Sequence, residues 1–218
     1  MVIFISCEIS DKIKNNLSKN FEIRFLPHFE LLPEPVSAHA DMLIYKLPCG
    51  KLLVHEEYYN LNENLFAGFD VIITNEPIGA KYPHDILLNA LNLNGVVYGK
   101  NNYTSKHIKV DVNLNQGYAR CSTCIVNDNA VIASDLNIAR TLNAEVLLIR
   151  PGNINLRGYG YGFIGGASCN FEDKVYFFGD IKKHPDYEII NNFLKKHKTF
   201  PVSLSDEELY DYGSMIII

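Results

Sequence analysis

The chain has 218 residues, 47% of them hydrophobic, with a net charge of −5 and no basic run denser than Lys195, Lys196 and Lys198. This length holds one large domain or two small ones with an ordinary core, and the charge argues against nucleic acid as a partner. No stretch reaches the ~18 apolar residues of a membrane span, and the N-terminal MVIFISCEIS has neither the basic start nor the small-residue cleavage site of a secretion signal, so a soluble cytoplasmic protein is expected.

In chain order, Val2 to Ser6 reads as a strand, Ser10 as the cap of a helix with Ile13 and Leu17 on one face, and Phe21 to Leu26 as a second strand. Four stretches then repeat one pattern of strand, polar turn, strand and a polar residue suited to opening a helix. They are MLIYKLPCGKLLVHEE, LLNALNLNGVVYGKNN, STCIVNDNAVIASD and GASCNFEDKVYFFGD, with turns at Gly50, Gly95, Asn129 and Asp173. The interval from Gly95 to Asn129 is the shortest, so the third unit is expected to have lost most of its helix. A further apolar strand follows each hairpin: VIIT from Val71, IKVDV from Ile108, EVLLI from Glu145 and FPVSL from Phe200.

In the fourth unit, strands run from Ser122 to Val126 and from Ala130 to Ala133, and Asp135 caps a helix carrying Ile138 and Leu142. Asp180 holds the matching place in the fifth unit and reads as a cap too. His184-Pro185-Asp186 reads as a helix entry. The N-terminal unit lacks only its first hairpin strand. The terminal GSMIII, Gly213 to Ile218, has no partner of its own, and pairing Met215–Ile218 with Val2–Ile5 completes a fifth hairpin and closes a ring, hiding edges that an open sheet exposes.

Five cysteines without an export signal argue for free thiols. Cys121 and Cys124 form a CxxC, but in an extended segment their side chains point to opposite faces, which suits neither a shared metal nor a disulfide. His55-Glu56-Glu57 lacks the second histidine of a zinc-protease motif. No metal and no cofactor is expected.

Five ββαβ units resemble the pentein fold, the five-bladed α/β-propeller of guanidino-group-modifying enzymes such as arginine deiminase, agmatine deiminase and the dimethylarginine hydrolases. The resemblance covers nearly the whole chain as a single domain, 1–218. The stretches Gly162 to Ser168 and GYARCSTCIVND are also similar to a bacterial family grouped with that fold. The resemblance implies that His39-Ala40-Asp41 is the His-x-Asp element of the enzymes. A carboxylate there binds a guanidinium or fixes the imidazole, which moves protons near neutral pH. The enzymes' C-terminal cysteine has no counterpart, since Gly213-Ser214-Met215-Ile216 stands in its place and no cysteine follows Cys169. Cys121 is then the preferred nucleophile over Cys169, with a cation or imidazole needed to lower its pKa.

Arg120 and Arg157 are candidate anchors for a carboxylate, and Ser122, Gly165, Gly166 and Ser168 are candidate ligand contacts. Asn155 to Gly162, NLRGYGYG, reads as a loop that folds over a channel mouth. The expected partner is a small polar ligand, guanidino- or amino-acid-like, with the oligomeric state open. Two functions follow: a hydrolase or deiminase-like enzyme on a guanidino or amidino compound, or a non-catalytic binding protein, as in the ribosome anti-association factors that share the fold.

Overall fold

Each hairpin read from the sequence is present, and each gains a third strand. The computed structural model describes residues 1–218. β1 (Val2–Ser6), α1 (Asp11–Leu17) and β2 (Glu22–Leu26) come first, then one-turn α2 (Ala40–Leu43), β3 (Ile44–Lys46), β4 (Leu52–His55), α3 (Glu56–Asn62) and β5 (Val71–Thr74). β6 (Leu91–Leu93), β7 (Val96–Gly99) and β8 (Val112–Asn113) follow with no helix between them. β9 (Thr123–Asn127), β10 (Ala130–Ala133), α4 (Leu136–Thr141) and β11 (Glu145–Leu148) form the fourth group, and β12 (Ser168–Phe171), β13 (Lys174–Phe177), α5 (Tyr187–Lys196) and β14 (Phe200–Ser203) the fifth. β15 (Met215–Ile217) is last.

The protein is mixed α/β, with five three-stranded sheets consistent with five repeated units. In every sheet the middle strand runs antiparallel to one neighbour and parallel to the other. The first unit obeys the same rule only because β15 returns to β1, pairing Ile3 with Ile217, Phe4 with Ile216 and Ile5 with Met215. Capping follows the sequence as well. Ser10 accepts the Ile13 N–H, Asp135 accepts those of Asn137 and Ile138, and Asp180 accepts that of Lys182.

The third unit differs from its reading. IKVDV was expected to be a full strand, yet only Val112 and Asn113 pair. The Asp111 carboxylate accepts the Val97 N–H at 3.0 Å, so a side chain takes the place of a ladder bond, and Ile108 is buried from a turn instead.

The middle strands are apolar on both faces, and the core shows why. Five buried clusters fill the molecule. Leu52 and Val54 of β4 enter the cluster that holds Phe4 of the first unit, while Leu53 between them enters the cluster that holds Leu87, Leu88 and Val97 of the third. Tyr98 joins the third unit to Val131 and Ala133 of the fourth, and Ala130 and Ile132 join the fourth to Val175 and Phe177 of the fifth. Tyr176 of the fifth packs with Ile3 and Ile5 of the first. Alternation along each middle strand therefore feeds two clusters, each shared by two units, and the last cluster links the fifth unit to the first.

Candidate functional site

The segments that lead into the first strand of each unit meet in the interior. The Asp41 N–H donates to the Gly213 carbonyl at 3.0 Å, and Asn89 Nδ2 donates to the Asp41 carbonyl at 3.2 Å. Asn89 Oδ1 accepts the Arg120 N–H at 2.9 Å, the Gly166 N–H donates to the Cys121 carbonyl at 2.9 Å, and the Ser214 N–H returns to the Gly166 carbonyl at 2.8 Å. These bonds run through all five segments and back. Their closeness explains the glycines: a Cβ on Gly166 would overlap Asp211 Oδ1, and one on Gly165 would overlap the Cys121 carbonyl oxygen.

Against this tier lies a cavity of about 260 Å³. Its walls are Val36, Met42, Leu156, Tyr118 and Phe163, with Tyr159, Gly160 and Tyr161 from the glycine-rich loop at its edge, and its polar groups are His39, Cys121 and Asp211. Tyr159 and Tyr161 are 47% and 45% exposed, so the expected loop stands at the mouth. No lysine or arginine lines it.

Cys121 Sγ donates to Asp41 Oδ2 at 2.9 Å and receives a hydrogen bond from Asn89 Nδ2 at 2.9 Å. Asp41 lies on the far side of this pair and lines a second cavity of about 250 Å³ shared with Lys46 and Arg120. The predicted His39, Asp41 and Cys121 are thus brought to one tier, but only His39 and Cys121 face the aromatic cavity. The carboxylate that faces it is Asp211, with Oδ1 3.7 Å from His39 Nδ1, beyond hydrogen-bond length. Asp211 accepts the Phe163 N–H at 2.8 Å and the Gly213 N–H at 3.0 Å. His39 Nδ1 and Asp41 Oδ1 are buried without a partner.

Burial dominates the electrostatics. It holds the His39 imidazole neutral, its pKa down to about 3, against a smaller opposing pull from the Asp211 main chain. It pushes the Asp41 carboxyl up to about 6, with the Cys121 hydrogen bond and the Arg120 charge opposing, and the Asp211 carboxyl up to about 7, helped by the Asp41 charge. Burial, then the charges of Asp41 and Asp211, raise the Cys121 thiol well above its ordinary range. The sulfur's hydrogen-bond partners are Asp41 and Asn89, not the cation or imidazole that a thiolate was expected to need. Arg120 spends its guanidinium on the Thr123 carbonyl at 3.0 Å and Ser214 Oγ at 2.7 Å.

The remaining sequence candidates lie elsewhere. Ser122 is buried with its hydroxyl unpartnered and lines neither cavity. Ser168 donates to the Ile164 carbonyl and its own carbonyl accepts from Ser214 Oγ, each at 2.7 Å. Gly165 and Gly166 pack against main chain and Asp211 instead of lining the cavity. Arg157 is exposed and faces Glu34 at 3.5 Å. Cys169 is buried against β15, its thiol 3.4 Å from the Met215 carbonyl. Cys121 and Cys124 enter different core clusters and are free, but not because the segment is extended as expected: Cys121 lies in a turn closed by the Ser122 N–H on the Tyr118 carbonyl and the Thr123 N–H on the Arg120 carbonyl, and the strand begins only at Thr123. No helix is long and apolar enough to cross a membrane.

Asp211 and Asn89 escaped the sequence reading. Asp211-Tyr212-Gly213-Ser214 precedes β15 much as His39-Ala40-Asp41-Met42 precedes β3, so aligning the terminal strand with the other opening strands would have exposed it. Asn89 sits in the apolar run ILLNALNL and carries no such signal.

A model of a family of unknown function, DUF6873, matches residues 4–216, and the chain belongs to that family. No curated protein and no solved structure matches it.

Proposed function

We propose that the chain is a pentein-like, five-bladed α/β-propeller that binds a small guanidino or amidino cation in the aromatic cavity and acts on it, hydrolase- or deiminase-like, through Cys121. The observation that carries this reading is the convergence of a thiol, a neutral imidazole and a carboxylate on one aromatic-walled cavity. Support for the propeller comes from the core clusters shared in turn between consecutive units and from the hydrogen bonds that run through all five opening segments.

A planar cation suits these walls. Tyr118, Tyr161 and Phe163 supply aromatic rings to the lining, and Asp211 offers the counter-charge that Asp41 was expected to supply. With no lysine or arginine in the lining, a carboxylate on the ligand would go unpaired, so the amino-acid-like option gives way to cations without one. In the reaction the Cys121 sulfur attacks the central carbon, forming a C–S bond. A ligand nitrogen then leaves as ammonia or an amine after gaining a proton. Water next cleaves the C–S bond and restores the thiol.

One observation favours the non-catalytic reading: both carboxylates of the tier oppose a thiolate at Cys121. Calorimetry with ethylguanidinium, followed by an assay for released ammonia or amine, tests the choice. The enzyme reading expects wild type and Cys121→Ser to bind alike and only wild type to turn over. Binding without turnover in wild type decides for the binding protein, and no binding removes both.

A further inference from the structure

Burial and the charges of Asp41 and Asp211 hold the Cys121 thiol protonated, which disfavours attack by pre-formed thiolate. The proton must leave as the sulfur attacks, and a nearby acceptor must take it. His39 was the expected acceptor. It makes no hydrogen bond to Cys121, and its Nδ1 faces Asp211 at 3.7 Å.

We propose that Asp41 is the general base for Cys121, and that Asn89 is the residue that positions the pair. The geometry is in place before any ligand arrives. The thiol already donates to Asp41 Oδ2 at 2.9 Å, the direction in which the proton has to move. Asn89 Nδ2 donates to the same sulfur at 2.9 Å, a contact that strengthens as negative charge grows there. The amide cannot turn over without loss, because its Oδ1 accepts the Arg120 N–H at 2.9 Å. Asp41 Oδ1 is buried and unpartnered, and Asp41 lines the second cavity, on the side away from the aromatic one.

The step balances without any co-reactant beyond the electrophile. The S–H electron pair becomes the new bond from sulfur to carbon, the proton passes to Asp41 Oδ2, and the leaving group departs with its own pair. The charged and titratable groups facing the pair are few. Asp211 comes from the segment before β15, His39 from the entry to α2, Tyr45 and Lys46 from β3, and Arg120 and Tyr118 from the segment before β9.

This rests on Cys121 as the covalent group, but its test needs no guanidino ligand, so failure here is separable from failure of the proposed substrate class. In a Cys7→Ser/Cys49→Ser background, alkylation of Cys121 by iodoacetamide is followed by site-resolved mass spectrometry from about pH 5 to about pH 9. Wild-type reactivity is expected to rise through a single ionisation near pH 6 and then level off, because the ionised Asp41 carboxylate is the active form. Asp41→Asn is expected to react at least about tenfold more slowly at pH 7 and to lose the plateau. The opposite result is specific. If Asp41 serves only to hold the thiol protonated, Asp41→Asn reacts faster at pH 7. That outcome, an unreactive wild-type Cys121, or a wild-type profile that climbs steadily with hydroxide would each overturn the assignment. The wild-type profile decides alone should Asp41→Asn fail to fold.

Discussion

Two pairs of aspartates near strand ends in this protein live in different physical worlds. Asp135 and Asp180 follow the middle strands of their units and cap outward turns. Asp135 Oδ1 accepts two N–H groups, at 2.7 and 3.1 Å, and its Oδ2 takes a third bond from Gln116 at 3.0 Å. Asp41 and Asp211 precede the first strands and are buried. There each carboxyl is pushed towards its neutral form, and Asp41 keeps an oxygen without a partner. The outer pair is satisfied and serves the fold. The inner pair retains an electrostatic cost that a cation at the centre would relieve, which is how a site differs from a cap.

The largest break in this contrast comes from removing the terminal strand. Deleting Gly213–Ile218 strips β1 of its hairpin partner, removes the carbonyl that holds the Asp41 N–H and frees Arg120 from Ser214. Burial of Met215 alone is worth roughly 1.5–3 kcal/mol, and the exposed edge of β1 adds to it, against a typical total of about 5–15 kcal/mol. Loss of cooperative thermal unfolding is expected. An unchanged melting curve would remove the structural basis of the five-unit reading.

The inner pair also makes stability depend on pH, with a definite sign. The folded pKa of Asp211 is raised from 3.8 to about 7, so the folded state binds a proton that the unfolded state releases, and that stabilisation is lost as pH rises across this window. Asp211→Asn removes the dependence. The stability difference, variant minus wild type, should therefore climb steadily between those pH values whatever its offset. His39 works on the opposite limb. Its folded pKa is depressed from 6.5 to about 3, so its contribution is present above pH 6.5 and lost as the unfolded chain takes up a proton at lower pH, and His39→Gln should lose less stability on acidification. Urea titrations across the range measure both, and a flat Asp211→Asn difference would show that this carboxyl is not neutralised by burial.

At the satisfied end the effect is smallest. Asp135→Ala should cost about 1 kcal/mol, as for an ordinary N-cap, with no change in Cys121 alkylation. A change in that rate would mean that caps and centre are coupled.

The same division explains what the sequence disclosed. Hairpins and caps are written locally: Gly50, Gly95 and Asn129 mark turns, and Asp135 and Asp180 stand at recurring places beside them. Even the return of β15 to β1 was legible, since an unpaired apolar strand at one end matched a missing strand at the other. The centre is assembled from five segments far apart in the chain, and no local pattern says which face of α2 Asp41 takes. His39 and Cys121 were found because their residue types carry chemistry wherever they stand. Asp211 was missed because its role is set by Gly166, Gly213 and His39, none of them near it in sequence except Gly213.

The central claim is that a guanidinium occupies the cavity in front of Cys121, and protection of that thiol tests it most directly. Alkylation of Cys121 is measured with ethylguanidinium at increasing concentration, with exposed Cys7 in the same chain as the internal reference. The account predicts that Cys121 is slowed at least about tenfold at saturation, half-protected at the calorimetric dissociation constant, while Cys7 is unaffected. Equal alkylation of Cys121 with and without saturating ethylguanidinium would place the ligand elsewhere and contradict the account.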